Sequence, residues 1–357
     1  MKLSIVGTQG IPNSYGGFET LAEYLVSYLS EDFEITVYCS SKDKKKALKT
    51  WKDAKLKYIP ISSHGTWGIL YDSLSLVHAC FTSDKVLFLG FGGGFIIPFL
   101  KHFKSKIILN FGGLDWQRNK WSKKAQQAIK YAEKNLIKNS SIVISDNIGI
   151  QNYIKQEYNI DAPLIAYGGD QASKRPITGY FKEQYPFLSS PYAFSVTRIQ
   201  KDNNIEMILE AFSHDTSIPL IMVGNWNSSV FGKLTKHKYA AKENLILLDA
   251  IYDQSILDVL RSNCTIYIHG HSAGGTNPSL CEAMFLSLPV IAFASGYNEY
   301  TTDNKALYFN NESELHTIIN QIRSLDLTEI GYQLQKVAKE KYIWAKIAQQ
   351  YKEIILK

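Results

Sequence analysis

The feature that most constrains the fold is a regular alternation of short apolar runs with longer helical patterns. In the first half of the chain, apolar runs predict strands at residues 3–6, 35–39, 57–59, 86–89, 107–111, 142–145 and 163–165. Periodic segments between them predict helices at residues 18–29, 68–81, 123–137 and 149–158. Continuous apolar runs are typical of parallel strands that are buried on both faces. The alternation therefore predicts a doubly wound α/β sheet.

The alternation pauses and then begins again. Residues 167–188 are rich in glycine, proline and polar side chains and are expected to form a linker. A second series predicts strands at 192–196, 220–223, 245–248, 266–269 and 290–292, and helices at 205–212, 254–262, 278–287 and 312–323. A final amphipathic helix is expected over residues 331–356. Two Rossmann-like halves joined by one linker predict a cleft between them, with ligands beyond the carboxyl ends of the strands.

Composition and charge exclude several classes of protein. With 45% hydrophobic and 20% charged residues, the chain is not a disordered protein, a collagen or a coiled coil. Its four cysteines include no C-x-x-C pair, which argues against a zinc site or a disulfide framework and favours the cytosol. We expect no signal peptide and no spanning helix, because no stretch approaches ~18 uninterrupted apolar residues. The net charge of +6 is too small to indicate nucleic acid, but it suits anionic ligands or an anionic membrane surface.

Glycine-rich loops follow two strands of the first half. The segment 7–19 ends in Gly16 and Gly17 at a helix start, where backbone N–H groups favour an anion. We expect Gly16 and Gly17 to contact the ligand, with a plain tight turn as the alternative. The spacing matches neither the dinucleotide fingerprint nor a Walker A loop, which argues against a dehydrogenase. The second segment, 90–95, either lines the cleft or allows close helix–sheet packing.

A third loop, at residues 110–121, combines aromatic, acidic and basic side chains. Asp115, Trp116, Arg118 and Lys120 follow a predicted buried strand. Aromatic faces beside hydrogen-bonding groups bind sugars, so these four residues are candidates for acceptor binding. Asp115 is also a catalytic candidate, because a carboxylate can take a proton from an attacking hydroxyl. The alternative is an ordinary helix N-cap with surface basic residues.

The second half contains the candidates for binding a diphosphate. Arg198 follows a strand, and its planar fork of donors suits a diphosphate, although a surface salt bridge is the alternative. After the strand at 266–269, a loop leads into a helix whose first turn would bind phosphate oxygens. The candidates on this loop and helix are Gly275, Thr276, Asn277, Pro278, Ser279 and Glu282. A carboxylate at 282 can accept both hydroxyls of a ribose, but it also simply complements the helix dipole.

The acidic and histidine residues do not form a recognisable metal motif. His269 and His271 are two residues apart rather than four, and no H-E-x-x-H is present. The chain also lacks Asp-x-Asp, the pair that would hold a cation in the other main class of sugar transferases. We therefore expect no metal and no cofactor, with phosphates neutralised by arginine, amides and a helix dipole. His271 remains a titratable candidate for the catalytic centre.

These motifs resemble those of GT-B glycosyltransferases of glycosyltransferase family 4, over essentially the whole chain. The segment 278–292 is similar to the family's nucleotide-sugar motif, and 344–351 looks like its closing helix. The opening G-T-x-G-I-P-x-x-Y-G-G-F-E-T and the D-W-x-R-x-K-W element resemble a subgroup of bacterial capsule and O-antigen rhamnosyltransferases. The resemblance implies two Rossmann-like domains facing across a cleft. We expect an acceptor domain at 1–170, a nucleotide-sugar domain at 171–335, and a helix at 336–357 that returns to the first domain.

The same resemblance implies roles for particular residues. Glu282 would bind the ribose, Arg198 the diphosphate, and the loop 276–279 would surround the phosphates. Two positions depart from the family pattern: Gly274 stands where the first Glu of E-x7-E is usual, and Asn203 where a Lys is usual, although Lys201 is nearby. The first change removes a sugar contact and the second weakens the diphosphate site. Both are compatible with a deoxysugar donor.

The predicted function is that of a cytosolic, retaining, metal-independent glycosyltransferase. Its expected donor is a dTDP- or UDP-sugar, first of all dTDP-rhamnose, and its acceptor a lipid-linked saccharide. Basic runs at 42–46 and at 101–106, the latter beside the apolar segment 96–100, favour a peripheral position on the cytosolic face of the inner membrane. The alternatives are a nucleotide-sugar epimerase of GT-B shape and a non-catalytic subunit that binds nucleotide sugars or glycans. A solvated charged face is the alternative for the basic runs.

Overall fold

The structure is a computed structural model that describes residues 1–12, 16–43, 48–117, 121–214 and 216–357. The chain divides into two compact units. The N-terminal unit comprises Met1–Tyr167 together with Trp344–Lys357, and the C-terminal unit comprises Gly168–Ile343. In the described ranges, no helix has both the length and the apolar character that crossing a membrane requires.

Strands and helices alternate through both units. The strands are β1 (Lys2–Val6), β2 (Glu34–Ser40), β3 (Thr50–Trp51), β4 (Ala54–Ile59), β5 (Lys85–Leu89), β6 (Ile107–Phe111), β7 (Ile142–Ser145), β8 (Ala193–Thr197), β9 (Leu220–Gly224), β10 (Leu245–Asp249), β11 (Ile266–His269), β12 (Val290–Phe293) and β13 (Leu307–Phe309). The helices are α1 (Gly17–Leu29), α2 (Gly65–Thr82), α3 (Lys123–Lys138), α4 (Ile148–Tyr158), α5 (Gly179–Gln184), α6 (Ile205–Ser213), α7 (Val230–Tyr239), α8 (Gln254–Ser262), α9 (Pro278–Phe285), α10 (Tyr297–Thr302), α11 (Glu312–Asn320), α12 (Leu327–Lys341) and α13 (Trp344–Ile355). Several short 3₁₀ turns connect them.

The sheet of the N-terminal unit is parallel except at one edge. Its order in the described residues is β3-β4-β2-β1-β5-β6-β7, and only β3 is antiparallel to its neighbour. The order reverses between β1 and β5, which pair in parallel from Leu3 opposite Lys85 to Val6 opposite Phe88. Ligands of doubly wound sheets bind beyond the carboxyl ends of strands at such a switch point. The loops after Val6 and Leu89 therefore lie where a ligand is expected.

The sheet of the C-terminal unit has the strand order of a Rossmann fold. The order is β10-β9-β8-β11-β12-β13, and every pair is parallel. Numbered from β8, this is the order 3-2-1-4-5-6. The switch point lies between β8 and β11, which pair through Ile266 opposite Ala193. The loops after Thr197 and His269 thus meet at the position where such folds bind nucleotides.

The final helix α13 packs within the N-terminal unit. Its Trp344 is buried, and the Trp344 ring stacks on that of Tyr24 in α1 with the centroids 4.5 Å apart. Further along the helix, the hydroxyl of Tyr351 accepts a hydrogen bond from the Asn110 amide at the end of β6. The C-terminus of the chain is therefore part of the core that covers β1.

Two sequence-based element predictions were wrong. The helix expected over 331–356 is two helices, because the backbone leaves the helical region at Tyr342. Tyr342 is buried, its hydroxyl donates to the Thr301 carbonyl at 2.7 Å, and its carbonyl accepts from Gly169 N–H at 2.9 Å. These contacts within the C-terminal unit end α12. The strand expected at 163–165 is only an isolated bridge between Ser145 and Leu164.

We predict that Trp344→Ala destabilises the protein strongly. Removing a buried aromatic side chain costs about 3–5 kcal/mol, because apolar burial is lost and a cavity remains. Urea unfolding followed by circular dichroism measures the change. Leu356→Ala is the matched control, since Leu356 is exposed at the end of the same helix. Equal stability of the two variants would contradict the packing role of Trp344.

Candidate functional site

Arg198 lies just after β8, at the switch point of the C-terminal sheet. The residue is half-buried, and its carbonyl accepts a hydrogen bond from the Asn203 amide at 2.7 Å. Among the described residues, the Arg198 guanidinium has no hydrogen-bond or ion-pair partner. The backbone is thus fixed by its own loop, while the planar donors of the side chain suit an anionic ligand.

Asn203, which stands where the family pattern has a lysine, is part of the loop architecture. Its side chain is buried and donates to Thr197 Oγ1 at 3.0 Å as well as to the Arg198 carbonyl. Lys201 is exposed, and its ammonium lies 5.8 Å from the ring centroid of Phe231. The amide at 203 therefore shapes the loop that presents Arg198 and adds no positive charge to the site.

The loops after β8 and β11 are joined by direct hydrogen bonds. Ser272 donates to the Asp202 carbonyl through both its N–H, at 3.0 Å, and its Oγ, at 2.8 Å. Asn204 donates to the Gly270 carbonyl at 2.9 Å. A Cβ at Gly270 would lie 2.3 Å from the Asn203 carbonyl oxygen, so only glycine permits this approach. The two loops form one surface at the switch point.

Gly274 has a backbone conformation that disfavours other residues. Its φ is +114°, outside the region that L-residues with a side chain commonly adopt. No described atom lies within 4 Å of the position that a Cβ would take there. The space beside residue 274 is therefore open, but a glutamate could enter it only with backbone strain or a changed loop.

The helix α9 begins directly after this loop. Asn277 is its N-cap, Pro278 is the first helical residue, and in the described structure no side chain of the cap bonds to the helix N–H groups. Thr276 is buried, while Gly275, Asn277, Pro278 and Ser279 are half-buried. Pro278 has no N–H and the Leu280 N–H donates to the Asn277 carbonyl at 3.0 Å, so the Ser279 N–H and the positive end of the helix dipole are what this first turn offers to a ligand. This arrangement can bind an anion without a cation.

Glu282 lies on the second turn of α9 and is held at both carboxylate oxygens. Oε1 accepts from Gln171 Nε2 at 2.5 Å, and Oε2 accepts from the guanidinium of Arg261. Each carboxylate oxygen can accept two hydrogen bonds. Glu282 can therefore keep Arg261 as a partner and still accept hydroxyl groups of a ligand.

Arg261 is fully buried beneath Glu282. Its second partner is Asp258, at 3.4 Å and three residues earlier on α8. Burial alone would lower the pKa of Arg261, but the nearby Glu282 carboxylate raises it, so the guanidinium remains charged. A buried charge persists only when it is paired and hydrogen-bonded. Arg261 thus fixes the position of the Glu282 carboxylate.

Sequence reasoning missed Arg261, Asp258 and Gln171. The segment I-L-D-V-L-R does contain an indication, because opposite charges three residues apart interrupt an apolar stretch of a predicted helix. Gln171 lies in the segment that was predicted as linker, and nothing in its composition pointed to Glu282. Its contact depends on how the chain enters the C-terminal unit.

The two histidines of the loop form a stacked pair. The rings of His269 and His271 lie 4.5 Å apart between centroids, with 14° between their planes. His269 is buried, and burial lowers its pKa to about 3, so it is neutral at physiological pH. The carbonyl of His271 accepts from Asn298 at 2.9 Å, which holds the loop.

Among the described residues, no group of three or more His, Cys, Asp or Glu side chains could hold a metal ion.

The candidates of the N-terminal unit lie in three loop segments. Gly16 is the N-cap of α1 and Gly17 its first residue, and both are half-buried. In the 90–95 segment, a Cβ at Gly94 would lie 2.3 Å from the Ala132 carbonyl oxygen, which favours the close-packing interpretation. Asp115 and Trp116 begin a short 3₁₀ turn. Arg118 and Lys120, and the lysines at 44–46 of the first basic run, lie outside the described residues.

Trp116 is covered by a charged cluster that the sequence did not reveal. The ammonium of Lys130 lies 4.9 Å from the Trp116 ring centroid and bonds to the buried Glu133 at 3.0 Å. The hydroxyls of Tyr153 and Tyr158 donate to the same carboxylate oxygen at 2.7 and 2.6 Å. One face of the Trp116 indole is thus held against a cation, which favours a fixed ring orientation.

Comparison with known families assigns each unit to a different domain. Residues 1–170 match the model of a domain of unknown function, DUF1972. Residues 180–339 match the model described as glycosyl transferases group 1. The second segment is therefore similar to the domains of group 1 glycosyltransferases. No curated protein sequence matches the chain at a significant level.

Solved structures with the same fold cover nearly the whole chain. Sucrose-phosphate synthase from Thermosynechococcus elongatus has a TM-score of 0.81 at 16% identity, covering 99% of this chain and 98% of its own. HepE of Anabaena in complex with UDP-glucose has a TM-score of 0.77 at 13% identity, covering 99% of each chain. An α,α-trehalose-phosphate synthase from Burkholderia xenovorans, in complex with glucose-6-phosphate, has a TM-score of 0.71 at 10% identity over 100% of each chain. The predicted GT-B fold of two Rossmann-like domains is confirmed.

We predict that Arg261→Met lowers the free energy of unfolding by about 3–5 kcal/mol, because Asp258 and Glu282 lose their buried cation. Chemical denaturation measures the change. Arg323→Met is the control, since Arg323 is exposed. A loss no larger than that of the control would show that Arg261 does not hold the two carboxylates.

We also predict that burial of His269 makes the free energy of unfolding fall as the pH is lowered. Its folded pKa of about 3 lies below the unfolded value of about 6.5, so the unfolded chain binds more protons between these values. The stability due to neutral His269 is present above about pH 6.5 and is lost as the pH falls toward 3. The stability difference between the native protein and His269→Asn should shrink on acidification. His237→Asn, at an exposed position, should show no such trend; a constant difference for His269→Asn would refute the assignment.

Proposed function

We propose that the protein is a retaining, metal-independent glycosyltransferase that uses a nucleotide-diphosphate sugar. The principal observation is the carboxylate of Glu282 on α9, which the buried Arg261 of α8 holds near the switch point where Arg198 also lies. A carboxylate in this position suits the hydroxyls of a ribose, and the start of α9 suits the diphosphate. HepE, a structural neighbour, was solved with UDP-glucose, which supports a donor of this class.

The proposed chemistry breaks the bond between the sugar C1 and the diphosphate oxygen while the acceptor oxygen bonds to C1 on the same face. The acceptor proton passes to the leaving diphosphate. Negative charge develops on that diphosphate as the bond breaks, and Arg198 with the first turn of α9 would stabilise it. These hydrogen-bond donors of the protein are in place before the reaction, so the site needs little reorganisation in the transition state.

We propose a deoxysugar donor, first of all dTDP-rhamnose, with a UDP-sugar as the alternative nucleotide. Two features support the choice. The space beside Gly274 is open and lacks the glutamate that would bind a sugar hydroxyl. At position 203, an asparagine whose amide donates to the Arg198 carbonyl stands where the family pattern has a positively charged lysine. A sugar with one hydroxyl fewer needs fewer polar partners.

The proposed acceptor is a lipid-linked saccharide on the cytosolic face of the inner membrane, for cell-surface polysaccharide synthesis. Asp115 and Trp116 would bind it in the N-terminal unit, and Gly16 and Gly17 would contact the donor. The fixed indole of Trp116 offers an aromatic face of the kind that sugars pack against. A neighbouring trehalose-phosphate synthase was solved with glucose-6-phosphate, which supports a saccharide as the accepting class.

Gly274 also favours a second candidate, a non-catalytic subunit that binds nucleotide sugars or glycans. The contact that it lacks could reduce turnover while leaving nucleotide binding intact. A nucleotide-sugar epimerase is less well supported, because the neutral His269 is a poor acid at physiological pH. Incubation with a donor alone separates these cases, since only an epimerase changes the sugar without an acceptor.

The direct test uses purified protein with a panel of dTDP- and UDP-sugars. Each donor is first screened by thermal shift, because a ligand that binds only the folded state raises the melting temperature. Donors that bind are then incubated with lipid-linked saccharides in the presence of EDTA, and products are identified by mass spectrometry. Transfer that persists in EDTA supports the proposal. Binding without transfer across the panel would favour the non-catalytic subunit, and no binding would contradict both.

We predict that Arg198→Ala lowers kcat by about 10²-fold or more, because a donor to the leaving diphosphate is removed. Stability should change by less than about 0.5 kcal/mol, since the guanidinium has no hydrogen-bond or ion-pair partner among the described residues. Steady-state kinetics and urea unfolding measure the two effects. Arg323→Ala should alter neither. Full activity of Arg198→Ala would remove Arg198 from the site.

A further inference from the structure

Helix α2 of the N-terminal unit exposes four apolar side chains along one face, which is interrupted between Leu74 and Phe81 by the exposed His78. Trp67, Leu70, Leu74 and Phe81 are exposed by 63%, 42%, 44% and 70%. Their spacings of three, four and seven residues place them on one side of the helix. We call this set the α2 face. It extends over about 21 Å of helix at 1.5 Å per residue.

The α2 face is unusual for the surface of a soluble domain. Among the 18 residues of α2, Asp72 is the one Asp, Glu, Lys or Arg. It lies off the face and is half-buried. Single exposed apolar residues are common, but contiguous exposed apolar patches mark sites of interaction with proteins or membranes. The face therefore indicates a partner with an apolar surface.

Basic residues adjoin one end of the face. Phe81 packs edge-on against Phe103 with the ring centroids 4.8 Å apart, and Phe103 lies in a 3₁₀ segment with the exposed Lys101 and Lys104. Lys106 of the same segment donates to the carbonyls of Cys80 and Ser83 at 3.2 and 2.8 Å, where α2 ends. The chain from 84 to 106 contains four lysines and one acidic residue, the exposed Asp84, whose carboxylate accepts from Lys2 N–H at 2.8 Å. The surface beside Phe81 is thus positively charged.

The 3₁₀ segment Ile97–Lys106 contributes one exposed apolar side chain of its own. Of the apolar run 96–100, Ile97 and Leu100 face the core, whereas Phe99 is 79% exposed. Only part of the run therefore lies at the surface, because Ile97 and Leu100 are buried. Phe99 with Lys101 and Lys104 forms an apolar group flanked by cations.

We propose that the α2 face, with Phe99, Lys101 and Lys104, binds the surface of a bilayer that contains anionic lipids. Apolar side chains enter the boundary between headgroups and acyl chains, and lysines beside them are attracted to anionic headgroups. Charge complementarity selects this occupant over a second copy of the chain, since two copies would bring like charges together. The inference rests on the proposed function in one respect: the acceptor that the membrane would supply is taken to be lipid-linked.

The position of the face agrees with delivery of such an acceptor. Helix α2 starts just after β4 and so begins at the carboxyl edge of the sheet, where the loops of the N-terminal switch point lie. His64, its N-cap, bonds to Gln9 of the first of these loops at 3.1 Å. Trp67 thus marks the end of the face that is near this edge. A membrane bound along α2 would lie beside the loops that are expected to bind ligands.

The test is co-sedimentation with vesicles of phosphatidylcholine, alone or mixed with phosphatidylglycerol. The native protein should bind the mixed vesicles, and both Trp67→Ser/Phe81→Ser and Lys101→Glu/Lys104→Glu should weaken binding by more than about tenfold. Matched controls come from exposed positions in the C-terminal unit: Val230→Ser/Leu234→Gln for the apolar pair, and Lys174→Glu/Lys182→Glu for the charges. The controls should bind like the native protein.

Three results would overturn the inference: no binding of the native protein to mixed vesicles, equal binding by the α2-face variants, or a dimer in sedimentation velocity that Trp67→Ser/Phe81→Ser converts to a monomer. Thermal shift with dTDP- and UDP-sugars separates this inference from the proposed function. Vesicle binding without nucleotide-sugar binding supports the surface and contradicts the enzyme. Nucleotide-sugar binding without vesicle binding supports the enzyme and contradicts the membrane-binding surface.

Discussion

The site in the C-terminal unit depends on one buried positive charge. The Arg261 guanidinium is removed from water between Asp258 and Glu282, and such burial is favourable only when the partners are held in place. The pair in turn holds the Glu282 carboxylate at a defined position on α9, beside the loop that follows β11. Gln171 completes the arrangement from the segment where the chain enters the unit. A ligand hydroxyl therefore meets a carboxylate whose orientation is already set, which reduces the entropy lost on binding.

Strand topology explains why Arg198 and Glu282 share one region although 84 residues separate them in sequence. The reversal of strand order between β8 and β11 places the loops after these two strands side by side, and Ser272 and Asn204 bond them together. Helix α9 then begins where the second loop ends. Helix N–H groups and a guanidinium would stabilise an anion at its first turn. This combination takes the place of a metal ion in the proposed chemistry.

Most of the fold could be predicted because buried parallel strands have continuous apolar runs. The strand Ile266–His269 and the helix Gln254–Ser262 have the bounds that the sequence predicted. The helix expected over 331–356 failed because the break at Tyr342 depends on contacts with Thr301 and Gly169, which are distant in sequence. In the candidate site, the sequence predicts roles for Arg198 and Glu282 from motif and resemblance, and these roles remain predictions. Arg261 and the cluster around Lys130 could not be predicted, because their importance comes from burial and from partners on other elements.

The central claim is that Glu282, held by Arg261, receives the ribose of a nucleotide sugar while Arg198 and α9 receive its diphosphate. A crystal structure of the protein soaked with dTDP- or UDP-sugar in the presence of magnesium tests it most directly. The account predicts ribose hydroxyls at Glu282 Oε1, an unbroken Arg261–Glu282 pair, and diphosphate oxygens at Arg198 and the first turn of α9. A nucleotide bound elsewhere, or a diphosphate bridged to the protein by magnesium, would contradict it.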